Sequence, residues 1–258
     1  MKILHLSDLH FGTVDNKLLK IMLEEITNIF PNLIVLSGDL TQRATESEFE
    51  KARDFVQSLH FNKVVVPGNH DISLYNLYER LFYPYYKYQN YIQKDLDPKF
   101  LVEGIHILGL NSSSRFRFKN GKISSQQFDL MNDFFKIDNQ LNKPKILVVH
   151  HNLIHLKKFH HPIVNYKKVQ EVLMSLKINI VLSGHLHTPV VEIFTDQLEE
   201  KSNHKVFLIT AGTALSTRLR NVSNSFNLLE VTDRGFELTV YYFKKNHFIP
   251  TDSHYFEF

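Results

Sequence analysis

The sequence has no cysteine among its 258 residues. That excludes disulfides and thiolate-held metals, so any metal site must use nitrogen and oxygen donors. A strong charge of either sign is also lacking: Lys+Arg 30 against Asp+Glu 27 leaves a formal net charge of +3. Nucleic-acid binding usually demands a strongly basic footprint, so no nucleic-acid partner is expected. No stretch approaches the roughly 18 apolar residues of a spanning helix, and no membrane span is predicted. The opening MKILHLSDLHFG is broken by His5 and Asp8 and has no small-residue cleavage site after it, unlike a secretory signal. A soluble, cytoplasmic protein is the expectation. Pro/Gly/Ser-rich linkers, low-complexity tracts and internal repeats are absent as well. With 43% hydrophobic and 22% charged residues, the composition is ordinary for a globular protein. The length suits a single domain over 1–258.

Short apolar runs recur through the chain: KILHL (2–6), LIVLS (33–37), KVVVP (63–67), GIHILGL (104–110), KILVVH (145–150) and INIVLSG (178–184). Their length, β-branched content and near-continuous apolar character predict strands buried on both faces. Helical spacing over 16–29, 45–59, 124–135 and 166–176 separates them, so an α/β sheet is expected. After Pro189, VVEIF, KVFLIT, SFNLLEV and FELTVYYF follow one another without helical patterns, which predicts mainly antiparallel strands there. Residues 73–99 form a distinct insert with seven tyrosines between Tyr75 and Tyr91. A helical pair laying aromatic faces on the sheet is the plain expectation, and a substrate cap the sharper one.

Histidine, by contrast, is plentiful at 15 copies, and its placement is informative. The predicted strands end in Asp8-Leu9-His10, Gly38-Asp39, Gly68-Asn69-His70-Asp71, His150-His151 and Gly184-His185-Leu186-His187. In open α/β sheets, groups at the carboxyl ends of strands converge on one crevice. In an extended segment, residues two apart share a side, so Asp8 with His10, and His185 with His187, are predicted to present paired ligands. The glycines at 38, 68 and 184 suit tight turns or close backbone approach. Imidazole favours zinc, manganese, iron or cobalt over magnesium or calcium. Four histidines, two aspartates and an asparagine exceed the needs of one ion with an open position. Shared between two ions about 3.5–4 Å apart, they fit a binuclear hydrolase with a bridging carboxylate such as Asp39. Two divalent ions outweigh two carboxylates and a hydroxide, so the site would attract an anion, and a small-molecule phosphate ester is the natural substrate.

Each piece has a plainer reading. A lone histidine is usually a satisfied core or surface residue. Asp39 alone could cap the helix over 45–59, and Asp71 one starting near Ser73. His155, His160 and His161 read as a solvated loop, with a place along the cleft as the alternative. Five ligand-bearing strand ends in one chain favour the metal site over these readings.

SDLHFG, GDLTQ, GNHD, HH and GHLHT, in that order, resemble the calcineurin-like metallophosphoesterase superfamily, whose pattern D-x-H, G-D, G-N-H-[DE], H and G-H-x-H is present in full. NSSSRFRFKNGKISSQQ (111–127) and AGTA with SFNLLEV (211–231) are similar to its bacterial class III cyclic-nucleotide phosphodiesterase branch. The resemblance implies a four-layer αββα sandwich of two mixed sheets flanked by helices. It places Asp8, His10, Asp39 and His187 on one metal, and Asp39, Asn69, His150 and His185 on the other. Iron and manganese are the implied metals, with zinc also compatible. His70 corresponds to a non-ligand histidine that hydrogen-bonds the phosphate or assists the leaving group, and Asp71 is expected to orient it. The implied reaction is in-line attack by hydroxide held on the metals, on a cyclic nucleotide or similar small phosphodiester. Where relatives often read HHP, this chain has His150-His151-Asn152; His150, which ends the strand, is the expected ligand. The resemblance also leaves room for a nucleotide-lipid pyrophosphatase of UDP-diacylglucosamine type. A DNA nuclease on this core would want a basic groove, and a non-catalytic scaffold should have lost ligands or His70, none of which is missing.

Overall fold

A strand that is apolar at every position is stable only when both faces are covered, and this chain covers them with two stacked sheets and helices outside each. The computed structural model describes residues 1–102, 104–136, 143–155, 162–195, 204–219 and 222–258. In the first sheet β1 (Lys2–Leu6), β2 (Leu33–Ser37) and β3 (Asn62–Val66) run parallel. On the other side of β1 lie the antiparallel β10 (Ser225–Val231), β11 (Gly235–Lys244) and β12 (His247–Pro250), and β13 (His254–Glu257) also pairs with β11. In the second sheet β5 (Ile105–Gly109), β6 (Lys145–Val148), β7 (Ile180–Ser183) and β9 (Lys205–Thr210) are parallel. Antiparallel β4 (Lys99–Val102) and β8 (Val190–Thr195) form its edges.

Alternation along each strand divides the core into three layers. Ile3, Leu33 and Val35 meet Ile146, Val148 and Ile180 between the sheets. Leu4, Leu6, Ile34 and Leu36 face outward onto α1 (Asn16–Ile29) and α2 (Glu46–Ser58). Leu147, Val149 and Val181 face α5 (Ser125–Lys136) and α6 (Tyr166–Ser175). This is the αββα sandwich, and each fully buried aliphatic side chain in it contributes about 1.5–3 kcal/mol. The strands after Pro189 pair mainly antiparallel, with β9 also parallel to β7, and they divide between the two sheets: β8 and β9 complete the second, β10 to β13 the first.

Local signals set the helix ends. Asp15 accepts from the Lys17 and Leu18 amides to start α1, and Phe30, left-handed at φ 50°, ends it. Thr45 and Glu48 form a capping box at α2. Capping is thus not the role of Asp39, which lies six residues upstream. Asp71 does not cap a helix starting near Ser73 either, because α3 (Leu77–Phe82) begins after Asn76, which accepts from the Glu79 amide. The tyrosine-rich insert carries α3 and α4 (Tyr86–Tyr91). Its aromatic residues pack only in part: Tyr88 is buried and donates to the Val65 carbonyl, and Tyr91 stacks on Phe49, whereas Tyr75, Tyr78, Tyr83 and Tyr86 are exposed. Among the described residues no helix is long and apolar enough to cross a membrane.

Candidate metal centre

The carboxyl ends of β1, β2 and β3 in one sheet and of β6 and β7 in the other open onto the same edge of the sandwich, so their loops meet there. Asp8 and His10 leave β1, Asp39 leaves β2, and a 3₁₀ turn after β3 carries Asn69, His70 and Asp71. His150 follows β6, while His185 and His187 follow β7. His10 Nε2 lies 3.7 Å from Asp8 Oδ1 and 3.8 Å from Asp39 Oδ2. His187 Nε2 is 3.5 Å from Asp8 Oδ1, and His150 Nε2 is 3.3 Å from Asp39 Oδ2. The rings of His10 and His187 stack at 5.2 Å, and the His185 ring lies 5.2 Å from that of His150.

The paired candidate ligands do not sit on extended backbone as the two-residue spacing suggested. Asp8, His10, Asp39, His185 and His187 all have left-handed backbone, with φ between 49° and 70°. Such conformations cost non-glycine residues free energy and persist only where surrounding structure imposes them. Hydrogen bonds do so here: the Asp8 and His10 amides donate to Gly38 O and Asp39 O, and the His185 amide donates to Asp8 Oδ2. The close approach expected of glycine is real at Gly184, where an added Cβ would overlap Ser7 Oγ and lie 2.6 Å from Asp8 Oδ2.

The polar atoms divide into held and free ends. Asp39 Oδ1 accepts from the His70 amide at 2.9 Å, leaving Oδ2 to the centre. His150 Nδ1 donates to Ser37 O at 2.8 Å, His10 Nδ1 to Thr41 O at 3.3 Å, and His187 Nδ1 pairs with Thr213 Oγ1 at 2.7 Å. A ring nitrogen that donates to a carbonyl leaves the other nitrogen as a lone pair, the tautomer a metal requires. Asp8 Oδ1, His10 Nε2, Asn69 Oδ1 and His150 Nε2 are buried without a hydrogen-bond partner. Unsatisfied buried polar atoms are costly, and four at one place fit metal ions as the missing partners. Among the described residues, three groups that could hold a metal have their nitrogen and oxygen atoms within 4.8 Å of one another: Asp8 with His10 and His187, Asp8 with Asp39 and His150, and His150 with His151 and His185.

Burial holds His10 and His185 down to about 4, so both are neutral at pH 7. His150 differs: burial opposes its charge, but Asp39 beside it raises it to about 9, and His150 in turn holds Asp39 well below the carboxylate range against its own burial. Without metal the two face each other as a buried charge pair at 3.3 Å that does not meet hydrogen-bond geometry, so His150 Nε2 stays without a hydrogen bond. A raised histidine stabilises the fold fully below its ordinary value of 6.5 and ceases to as pH climbs through about 9. The proton competing with metal leaves over the same window. Manganese affinity of the stripped protein is therefore expected to rise, and its metal-free thermal stability to fall, between pH 6.5 and about 9. Titration calorimetry in buffers of different ionisation enthalpy should show proton release on binding; no release at pH 7 would contradict the ion pair.

His70 and Asp71 are arranged differently from expectation. Asp71 does not orient His70. It accepts instead from the amides of Gly68 (2.8 Å), Leu40 (3.2 Å) and Thr41 (2.8 Å) and from Thr41 Oγ1 (3.0 Å), tying the GNHD turn to the Asp39 loop. The partner of His70 Nδ1 is the Gln42 carbonyl at 2.8 Å, which leaves Nε2 for a ligand. Gln42, Thr41, Ser37 and Thr213 thus act at the site though the ligand pattern does not name them. For Thr41 and Gln42, the adjacency of GDLTQ to the candidate ligand Asp39 was the available signal. His151 is buried beside His185, with ring centres 4.8 Å apart, and its Nδ1 meets Ser112 Oγ at 2.9 Å. His155 is exposed, and His160 and His161 lie outside the described residues. A cavity of about 370 Å³ opens beside the centre, lined by His10, Gln42, His70, His187, Thr217 and Arg218.

Three comparisons bear on this geometry. A family model described as calcineurin-like phosphoesterase matches residues 1–189. A probable cyclic nucleotide phosphodiesterase of Synechococcus sp. is 25% identical over 171 residues, 63% of this chain and 60% of the relative's length. Another probable cyclic nucleotide phosphodiesterase, from Coxiella burnetii, is 23% identical over 205 residues, 72% of this chain and 76% of that one. Among solved structures, a purple acid phosphatase from yellow lupin (Lupinus luteus) seeds superposes with a TM-score of 0.74 at 11% identity, over 100% of this chain and 53% of that one.

Proposed function

The chain belongs to the calcineurin-like phosphoesterase family, and on that premise we propose that it is a binuclear-metal-dependent phosphodiesterase acting on cyclic nucleotides or similar small phosphodiesters. The observation that carries this reading is the set of four buried, unpartnered donor atoms on Asp8, His10, Asn69 and His150. Asp8, His10, Asp39 and His187 would hold one ion, and Asp39, Asn69, His150 and His185 the other, with iron or manganese favoured and zinc compatible. When bound, such a pair supplies hydroxide near neutral pH and positive charge opposite the phosphoryl oxygens.

The remaining work falls to the chain's own residues. The His70 ring, fixed through Nδ1 on the Gln42 carbonyl, presents Nε2 to the cavity, and in its imidazolium form, which carries a hydrogen on each ring nitrogen, it donates a hydrogen bond to a phosphoryl or leaving-group oxygen. A cavity of about 370 Å³ falls in the range that takes small-molecule ligands, roughly 300–1,000 Å³. Arg218 on its wall supplies a cation for an anionic substrate, and burial of the ligands beneath keeps bulk water from competing. The names of the Synechococcus and Coxiella relatives favour a cyclic nucleotide.

Protein stripped of metal should not hydrolyse bis-p-nitrophenyl phosphate, and manganese or ferrous iron should restore turnover. Reconstituted enzyme screened on 2′,3′- and 3′,5′-cyclic nucleotides, nucleotide-lipid pyrophosphates and monoesters should favour the cyclic diesters. Preference for a monoester would overturn the substrate class, and metal-independent turnover would overturn the mechanism.

A further inference from the structure

Soluble proteins rarely leave many large apolar side chains exposed together. Of seventeen exposed large hydrophobic residues among the described residues, nine fall within 75–86 and 116–118. Tyr75 is 75% exposed, Phe116 71%, Tyr78 64% and Phe82 63%. The two stretches form one face because Arg80, itself buried, clamps them. Its guanidinium donates to the carbonyls of Ser73 (3.1 Å), Ser114 (3.3 Å), Arg115 (2.8 Å) and Arg117 (2.8 Å), and lies 4.0 Å over the Phe118 ring. Arg115 returns a bond to the Leu81 carbonyl at 2.7 Å. The face borders the candidate centre, since Arg43 lies 5.8 Å over Tyr75 and the adjacent Gln42 lines the cavity with His70.

Charge selects what this face meets. Residues 115–122 read RFRFKNGK, four cations with no acid. In 73–91 the one acidic residue is Glu79, which pairs with Lys87 at 2.9 Å. We propose that this aromatic and basic face docks the protein on an anionic lipid surface. Aromatic rings suit the boundary between headgroups and acyl chains, and each Lys or Arg near an anionic bilayer adds attraction. A second copy of the chain is the weaker occupant, because a two-fold axis through the face would set 115–122 against itself and bring like charges together.

Vesicle co-sedimentation of the full chain tests this directly. Binding is expected to vesicles of phosphatidylcholine with phosphatidylglycerol, not to phosphatidylcholine alone, and to weaken as salt is raised. Arg117→Glu with Lys119→Glu, and separately Phe82→Ser with Phe116→Ser, should each lower partitioning by about tenfold or more, with unchanged thermal midpoints showing that both variants fold. No binding to the anionic vesicles, or binding that neither double variant reduces, would overturn the proposal. So would light scattering that found a dimer in solution which Phe82→Ser with Phe116→Ser converts to monomer.

Discussion

Asp39→Ala should lower kcat/KM on bis-p-nitrophenyl phosphate by about 10³-fold or more, the upper end of what one electrostatic group at a reacting centre contributes. The loss should come with metal: bound manganese per chain is expected to fall below two. Both oxygens of Asp39 are engaged. Oδ2 lies between His10 and His150, at 3.8 and 3.3 Å, and Oδ1 holds the His70 amide. One substitution therefore removes the carboxylate placed to bridge and frees the turn that carries His70. His70→Ala should behave differently, with two metals retained and kcat down by about 10²–10⁴-fold, the usual contribution of a positioned proton donor. The paired result separates holding metal from using it. Full metal content in Asp39→Ala, or full activity in His70→Ala, would break the assignment at that residue.

The second large effect falls on stability. Asp71→Ala is expected to cost about 3–5 kcal/mol, because it strands three buried backbone amides whose acceptor is this carboxylate. Three backbone amides and the Thr41 hydroxyl converge on this carboxylate, which is 1% exposed. At about 2–4 °C per kcal/mol for a protein of this size, the thermal midpoint should drop by roughly 10 °C. Burial, and after it Asp39, push the Asp71 carboxyl up to about 6. A carboxyl raised in the folded state favours folding below its ordinary value of 3.8 and loses that contribution as pH rises through about 6. The deficit of the alanine variant is therefore carried by the lost acceptors, and it should persist at pH 7. A midpoint within a degree or two of the parent would show that the GNHD turn does not need this anchor.

Legibility in the sequence followed the range of the forces involved. β2 begins and ends where the LIVLS run does, and α1 spans the 16–29 pattern, because burial on two faces and on one stripe writes itself locally. That the candidate ligands stand at strand ends was visible for the same reason: strand ends are local, and DLH, GD, GNHD and GHLH sit on them. What stayed hidden depends on contacts between distant segments. The left-handed backbone at Asp8 and His10 is imposed by bonds to Gly38 and Asp39, some 30 residues away. Asp71 faces the Asp39 loop rather than its neighbour His70, a choice made by three amides that no spacing reveals. Tyr75, Tyr78, Tyr83 and Tyr86 point outward, while Arg80 and Tyr88 anchor the insert from within. β12 escaped notice although Lys245 and Asn246, at φ 49° and 65°, form a two-residue hairpin turn between it and β11.

Crystals of manganese-loaded protein, with anomalous scattering recorded at the manganese edge, test the central claim most directly. Two peaks about 3.5–4 Å apart are expected, one beside Asp8, His10 and His187, the other beside Asn69, His150 and His185, with the Asp39 carboxylate between them. A single peak, or density away from these side chains, would contradict a two-metal phosphodiesterase.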